Sequence, residues 1–322
     1  MDNNEEKNNT AIKSSGNVAA MDLGTNSNRL LIADRNGVPL FRDVYHVALG
    51  EKLAENGHFC RQAMDRAVNS FMNFAEYLDA YNVKRYRAIA TAACRMSANT
   101  AEFLQEIKQS SGIEVEVISE YEEARLTLLG ARLNAPADAR YLLVYDLGGG
   151  STEVTLATNG EVPEILATVS IPLGARNATE MFNLYNYNPD GAAALQQAVA
   201  GYLQPFLDKI AAIDYHGQAA LISTSSTPLR LVSWIKQMPE YDKFAADGVT
   251  VATAELDRLI EQILPMPYPE RAASIYIGPQ RAKIFVAALV IFRTVFQMLR
   301  EDKMVASLKG AQEAIVFSLL KG

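Results

Sequence analysis

Short apolar runs, each cut off by glycine, asparagine or hydroxyl residues, dominate the first fifty ordered positions of the chain. Asn17-Val-Ala-Ala-Met-Asp22 has the continuous apolar character of a buried strand, Leu23 to Asn28 reads as a Gly/Asx/hydroxyl turn, and Arg29 to Ala33 returns as a second strand. Asn36-Gly37 is a hairpin signal, after which Val38 to Leu49 continues as a third strand. The apolar period then lengthens: Ala63, Ala67, Phe71, Phe74 and Leu78 recur at helical spacing and predict a helix over Arg61–Tyr81. Tyr86 to Thr91 is a strand with Thr91–Met96 as the loop after it, a helix runs from Asn99 through Gln109, and Glu114–Ile118 alternates as a strand. Tyr121 to Leu133 is helical, with Glu120, Glu122 and Glu123 gathered at its N-terminus, where the helix dipole favours acids. Ala135-Pro136-Ala137 is the expected domain joint.

The pattern then starts again. Tyr141 to Asp146 is an apolar strand, Gly148-Gly149-Gly150-Ser151 a turn, and Thr152 to Ala157 an alternating strand. Asp22 aligns with Asp146, Gly24 with Gly148, Ser27 with Ser151 and Ala33 with Ala157; after a one-residue indel, Asn36-Gly37 falls on Asn159-Gly160. A repeat of such long period predicts duplicated domains facing one another, not a solenoid. The second copy continues with a strand at Ala167–Pro172, a long helix within Asn188–Ala212, a strand at Gln218–Ser223, a polar turn at Thr224–Thr227 and helices at Pro228–Lys236 and Glu255–Leu264. Pro265–Pro269 reads as a rigid loop, and Arg281–Arg300 and Lys309–Leu320 as apolar closing helices. Strands alternating with helices make the class α/β, with two related sheets flanking a cleft.

Composition narrows the function classes. The chain has 322 residues, 49% hydrophobic and 21% charged, the balance of an ordinary globular protein of about two domains. No apolar run approaches the roughly 18 residues of a membrane span, and the polar, acidic Met1–Thr10 is unlike a secretory leader, so residues 1–16 read as a disordered tail. Cys60 and Cys94 fit no metal-ligand spacing and point to reduced, cytoplasmic thiols. His46, His58 and His216 are scattered, which disfavours a histidine metal cluster or a Ser-His-Asp triad. A net charge of -7 argues against binding long nucleic acid, though a cleft can still hold a polyanion.

The candidate chemistry lies in the repeated turns. Successive backbone N–H groups in a glycine turn form an anion nest suited to phosphate. Gly24, Asn26 and Ser27 in the first turn, and Gly148, Gly149, Gly150 and Ser151 in the second, are therefore cradle candidates, the alternative being two hairpins that merely need glycine. Asp146 and Glu153 bracket the second turn and suit Mg²⁺, which keeps several waters and leans on substrate phosphates; the alternative is an Asx turn and an exposed strand acid. Asp22 reads equally as a turn former or a site acid. Arg95 is the first choice for a guanidinium fork onto phosphate, with Arg29 and Arg281 behind it. Cys94, with no histidine neighbour in sequence, reads as core. Glu123 by itself reads as a solvated acid or as a general base.

Four blocks in order, Ala20-Met-Asp-Leu-Gly-Thr-Asn-Ser-Asn-Arg-Leu-Leu-Ile32, Ala90-Thr-Ala-Ala-Cys-Arg95, Val117-Ile-Ser-Glu-Tyr-Glu-Glu-Ala-Arg-Leu126 and Asp146-Leu-Gly-Gly-Gly-Ser-Thr-Glu153, resemble the exopolyphosphatase / guanosine pentaphosphate phosphatase family of the actin / sugar-kinase / Hsp70 superfamily, in its short two-domain form. The resemblance implies two ribonuclease-H-like domains, 17–136 and 137–322, a phosphate loop from each lining the cleft, and a last helix packing back on the first domain. It also implies Glu123 as general base and Asp146 and Glu153 as acids holding Mg²⁺ or Mn²⁺. Two blocks depart from the family: Ser223-Thr-Ser-Ser-Thr227 stands where Gly-Thr-Gly-Gly-Thr is usual, and Arg281-Ala-Lys283 followed by Ala287-Ala288 where Arg-Ala-Asp and Pro-Gly are usual. These departures favour inorganic polyphosphate over pppGpp. The function expected is metal-dependent, processive release of terminal phosphate from polyphosphate, with pppGpp 5'-phosphohydrolysis as the alternative. An ATP-dependent kinase or actin-like ATPase, and a low-turnover polyphosphate or alarmone binder, are the alternatives of another class. The expected partners are polyphosphate and (p)ppGpp, with no membrane and no long nucleic acid, and a homodimer is left open.

Overall fold

A computed structural model describes residues 16–321, so the tail expected over 1–16 falls, apart from Gly16, outside the described residues. The chain forms two compact units, one reaching to Leu126 and completed by the segment from Ala311, the other Thr127–Gly310.

The first unit is a five-stranded sheet in the order β3-β2-β1-β4-β5, with β1 Val18–Leu23, β2 Asn28–Ala33, β3 Pro39–Tyr45, β4 Arg85–Ala90 and β5 Val115–Val117. β1 pairs antiparallel with β2 and parallel with β4, so it is central, and its near-continuous apolar sequence is buried on both faces. The helix Arg61–Ala80 buries Ala63, Ala67, Phe71, Phe74 and Leu78 against this sheet with Phe59 and Phe103. The terminal helix Ala311–Lys321 belongs to the same unit and packs on β1, its Gln312 side chain donating to Ala20 O at 3.0 Å. Glu313 on that helix accepts from Arg42 Nη2 at 2.7 Å, tying it to β3.

The second unit repeats the topology. Its sheet runs β10-β11-β9-β6-β7-β8, with β6 Tyr141–Leu147, β7 Thr152–Thr158, β8 Ile165–Ile171, β9 Ala219–Thr224, β10 Thr250–Ala252 and β11 Lys303–Ser307. β6, β7 and β8 form an antiparallel meander, and β9 then lies parallel to β6, as β4 does to β1. Both units thus have the ribonuclease-H-like order, and β10 is one added antiparallel edge strand. The helix Phe285–Leu299 is apolar on all sides and is correspondingly enclosed by the core of this unit.

Several elements differ from the expected ones. The third strand ends at Tyr45 instead of Leu49, because Ala48 N–H donates to Asn26 O (3.0 Å) and Gly50 N–H to Thr25 O (2.8 Å), which pulls 46–50 out of the sheet and over the first turn. Thr91–Met96 is not a loop: Ala92–Met96 forms a short helix. The helix after β9 begins at Ser226, two residues before Pro228, and a short helix Tyr268–Ala273 starts within the last two residues of the rigid loop expected over Pro265–Pro269. Among the described residues, no helix is long and apolar enough to cross a membrane.

Candidate active site

Each unit carries its turn at the end of its central strand. In the first, Gly24 N–H donates to Ser27 O at 3.2 Å; in the second, Gly148 N–H donates to Ser151 O at 3.0 Å. The internal closure of the turn is therefore duplicated, as the sequence repeat predicts. Gly24 and Gly148 do not need a left-handed backbone. They are needed for room: a Cβ at Gly24 would lie 2.9 Å from Ser27 O, and at Gly148 3.1 Å from Ser151 O.

The carbonyl side of each turn is occupied from within the unit. Thr25 O and Asn26 O accept from Gly50 and Ala48, as described above. Gly148 O accepts from Ala175 N–H (2.9 Å), Gly149 O from Arg176 N–H (2.8 Å), and Gly150 O from Asn177 Nδ2 (2.9 Å). Asn177 also donates to Pro172 O at 3.0 Å and accepts from Gly174 N–H at 2.8 Å, so one side chain fastens the turn to the start of the helix Ala175–Met181. A Cβ on Gly174 would sit 2.5 Å from Gly149 C and Gly150 N. With the carbonyls held this way, and the Gly24 and Gly148 N–H groups used in the closure, the other amides of each turn are the candidate anion-binding edge.

The acids differ between the two copies. Asp22 faces Arg29 across the β1–β2 ladder, with Arg29 Nη1 3.6 Å from Asp22 Oδ2. At the equivalent position Asp146 faces Glu153 across β6–β7. Directly registered residues project from the same face of a sheet, so the register continues this row through Ser170 on β8, Thr224 on β9 and Ser307 on β11. Glu153 is buried and accepts from Ser170 Oγ at 3.1 Å. A half-buried and a buried carboxylate side by side, next to a turn edged with N–H groups, form a donor set that fits Mg²⁺, an ion that retains waters and shares phosphate oxygens. Among the described residues, no group of three or more His, Cys, Asp or Glu side chains is arranged to hold a metal.

In the first unit, the three acids of the Glu120–Glu123 block separate cleanly. Glu120 is exposed; Glu122 is held by Arg125 Nε (2.7 Å) and Arg87 Nη1 (3.1 Å), and the Arg125 hydrogen bond, followed by Arg87, keeps its carboxyl below the usual range. Glu123 alone turns to Arg95, whose Nη1 donates to Glu123 Oε2 at 2.8 Å and to Ile118 O at 3.0 Å. Both side chains are mostly enclosed, 19% and 12% exposed. Arg95 comes from the short helix after β4, and its guanidinium thus carries a carboxylate as well as facing the strand end. Cys94 beside it is buried, and desolvation pushes its thiol up to about 12, so it stays protonated and acts as core. Arg29 is partly exposed at the strand edge, and Arg281 stands on the four-residue helix Pro279–Ala282 at the entry to Phe285–Leu299.

Sequence reasoning did not single out His46, whose Nδ1 lies 2.9 Å from Ser27 Oγ, nor Asn177, Ser170 or Thr224. A signal for Asn177 exists in the chain, since Gly174 followed three positions later by Asn is a helix-start pattern. Nothing local marks the other three, because their partners lie on neighbouring strands or loops.

Comparison with known proteins agrees along most of the chain. It is 29% identical over 321 residues to exopolyphosphatase 2 of Mycobacterium tuberculosis (strain CDC 1551 / Oshkosh), covering 94% of this chain and 98% of that protein. An exopolyphosphatase from Cytophaga hutchinsonii is similar in structure, with a TM-score of 0.87, 25% identity and coverage of 95% and 98% of the two chains. The Aquifex aeolicus member of the Ppx/GppA family, 24% identical with a TM-score of 0.77 over 95% and 98% of the chains, shares the fold. With the Ppx/GppA phosphatase family matching residues 32–322, the chain belongs to that family and is a hydrolase.

Proposed function

We propose that the protein is an exopolyphosphatase, releasing orthophosphate from the end of inorganic polyphosphate. The observation that carries this reading is the pairing of Asp146 with Glu153 across the ladder beside the Gly148–Ser151 turn. Two carboxylates in register next to an anion-binding edge are suited to a phosphate-bound divalent cation. Asp146 and Glu153 would hold Mg²⁺ or Mn²⁺, and the ion would neutralise charge developing on phosphate oxygens. The amide edges of Gly24–Ser27 and Gly148–Ser151 bind phosphoryl oxygens. Glu123 accepts the proton of the attacking water, and Arg95 holds that carboxylate in one orientation while remaining close enough to the strand end to pair with substrate phosphate. Arg29 and Arg281 contribute positive charge toward the polyanion. Release would be processive where the shortened chain re-engages the same turns without leaving the protein. The name of the Mycobacterium tuberculosis relative supports the choice of substrate, and two free thiols support a reducing, cytoplasmic location.

The test is phosphate release by the purified protein from polyphosphates of several lengths, with Mg²⁺ or Mn²⁺ and with chelator, beside pppGpp. The expected result is metal-dependent release with the larger kcat/KM on polyphosphate, and a fall of ~10²–10⁴-fold in kcat for Glu123→Gln. Absence of release from polyphosphate, or full activity in Glu123→Gln, rejects the reading; a larger kcat/KM on pppGpp reassigns the substrate.

A further inference from the structure

His46 is the first residue after β3, and the segment it opens, 46–50, crosses over the Gly24–Ser27 turn of the same unit. Its Nδ1 lies 2.9 Å from Ser27 Oγ, and Asn26 Nδ2 donates to the same hydroxyl at 3.2 Å. Ser27 is buried, whereas the imidazole is exposed. The backbone on both sides of His46 is fixed. Tyr45 before it is paired with Asn28 on β2, and Val47 O after it accepts from Arg66 Nε at 2.7 Å. Val47 and Leu49 are buried in the core of the unit, and Ala48 between them has a left-handed backbone with φ 51. A non-glycine residue persists in that region only where its surroundings over-determine it. A rigid frame therefore aims the imidazole at the hydroxyl.

This contact is not what builds the turn. Ser151, the equivalent serine, has no hydrogen-bonded imidazole among the described residues, yet its turn closes by the same N–H to carbonyl bond. What the ring controls is the direction of one hydrogen. A serine hydroxyl has a single hydrogen to donate and two lone pairs with which to accept. With Nδ1 bare, Ser27 donates to the ring, and only lone pairs are left for a ligand in the turn. With a hydrogen on Nδ1, the ring and Asn26 both donate to Oγ, and the hydroxyl hydrogen is released as a donor. An ionised phosphoryl oxygen only accepts, so the second arrangement holds it and the first repels it. The strand-end acid of this unit, Asp22, has Arg29 Nη1 at 3.6 Å, so its charge is compensated within the ladder.

We infer that His46 is a positioning residue for phosphoryl binding: its Nδ1–H donates to Ser27 Oγ and turns that hydroxyl's hydrogen toward an oxygen of the ligand. The inference rests on reading the Gly24–Ser27 turn as a phosphate cradle, and adds to it a side chain outside the turn that sets the direction of its hydroxyl.

The experiment measures Kd for tripolyphosphate by titration calorimetry in excess EDTA, where metal bridging is absent. Wild type is compared with His46→Leu, His46→Asn, Ser27→Ala and the double variant of His46→Leu with Ser27→Ala, and each protein is melted without ligand to verify that it is folded. His46→Leu and Ser27→Ala should each weaken binding about tenfold, as for the loss of a hydrogen bond to a charged group. The double variant should lose no more than either single one, because the ring acts through the hydroxyl. His46→Asn, whose amide donates from the place of Nδ1, should bind as wild type does. Nitrogen NMR of the imidazole, assigned by its loss in His46→Asn, should show a hydrogen on Nδ1 in the tripolyphosphate complex. The proposal is overturned if His46→Leu binds as wild type does, if its loss is as large in the Ser27→Ala background, or if Nδ1 is bare in the complex. Wild type that binds no tripolyphosphate overturns it as well. Polyphosphate hydrolysis is assayed separately. Release of phosphate with an unchanged Kd in His46→Leu removes the positioning role and leaves the activity, whereas coupled losses in Kd without wild-type hydrolysis remove the activity and leave the positioning role.

Discussion

The two turns at Gly24–Ser27 and Gly148–Ser151 are built alike and charged differently. Both close with the same N–H to carbonyl bond, from Gly24 to Ser27 and from Gly148 to Ser151. Both have their carbonyls covered by the segment after the third strand of the unit, and in each a glycine sits at the crossing, Gly50 against Thr25 and Gly174 against Gly149. The divergence is in the cross-strand neighbour of the strand-end acid. Asp22 faces Arg29, an arrangement that neutralises itself, whereas Asp146 faces Glu153, an arrangement that gathers negative charge and invites a cation. The segments after the fourth strands diverge in a complementary way: the first unit places Arg95 there, and the second places Ser225 and Ser226. Duplication thus kept the backbone device and reassigned the charges, leaving the paired carboxylates to one copy and the arginine to the other.

The largest effect should come from erasing that difference. Glu153→Arg gives the second turn the charge pattern of the first, and kcat/KM for phosphate release in Mg²⁺ should fall by ~10²–10³-fold, since a bound metal is worth several kcal/mol of charge stabilisation. Arg29→Glu, the reciprocal change, should cost no more than about tenfold. Equal losses in the two variants would mean that the turns share one role. Next in size are the crossing glycines. Gly174→Ala forces a methyl against backbone at 2.5 Å and should lower stability by about 2–3 kcal/mol. Gly50→Ala meets the Thr25 Cγ2 methyl at 2.3 Å, a group that can rotate away, so about 1 kcal/mol is expected. Denaturant midpoints compare the two, and a greater loss at Gly50 would reverse the reading. Asn177→Ala should cost about 2 kcal/mol, because Gly150 O, Pro172 O and the Gly174 N–H all lose their partner. His46→Ala, at an exposed position bonded to Ser27, should stay within ~0.5 kcal/mol.

The shared device was legible in the chain because it rests on local needs: an acid ending an apolar strand, glycine where a Cβ would strike a carbonyl, and the same spacing twice. The strand and helix periods pointed to an α/β class with two related sheets, and the ribonuclease-H-like domains were implied by the family resemblance. The edge strand β10 and its neighbour β11 were missed, since Thr250–Ala252 and Lys303–Ser307 are too short and too mixed to show a period of two. The helix beginning at Ser226 was displaced because Pro228 looks like a proline at the first helical position, while it stands third in that helix. The hold of Arg95 on Glu123 joins residues 28 positions apart, and the row Ser170–Glu153–Asp146–Thr224–Ser307 joins five strands. Neither has a local signature, because register is set by the whole sheet.

The segments after the fourth strands are distinguished by a pH effect. In the first unit Cys94 is buried beside Arg95, and desolvation lifts its thiol to about 12. An unfolded cysteine titrates near ~8.5. Above that value the unfolded chain releases the proton while the folded chain keeps it, so the unfolded state binds fewer protons and stability falls as pH rises, by up to about 1.4 kcal/mol per pH unit between the two values. Below pH ~8 both states are protonated and the contribution is fully present. Wild type and Cys94→Ala should therefore have parallel stability curves at neutral pH and converge or cross above pH ~9, as wild type alone loses this increment. Tyrosine and lysine titrations are common to both proteins and cancel in the difference. The corresponding segment of the second unit has hydroxyls in place of a thiol, so Ser226→Ala should leave the pH slope of stability unchanged. A difference curve for Cys94→Ala that stays flat to pH 10.5 would show that this thiol is hydrated in the folded protein, and would remove the contrast between a segment with a dry thiol and one with hydroxyls.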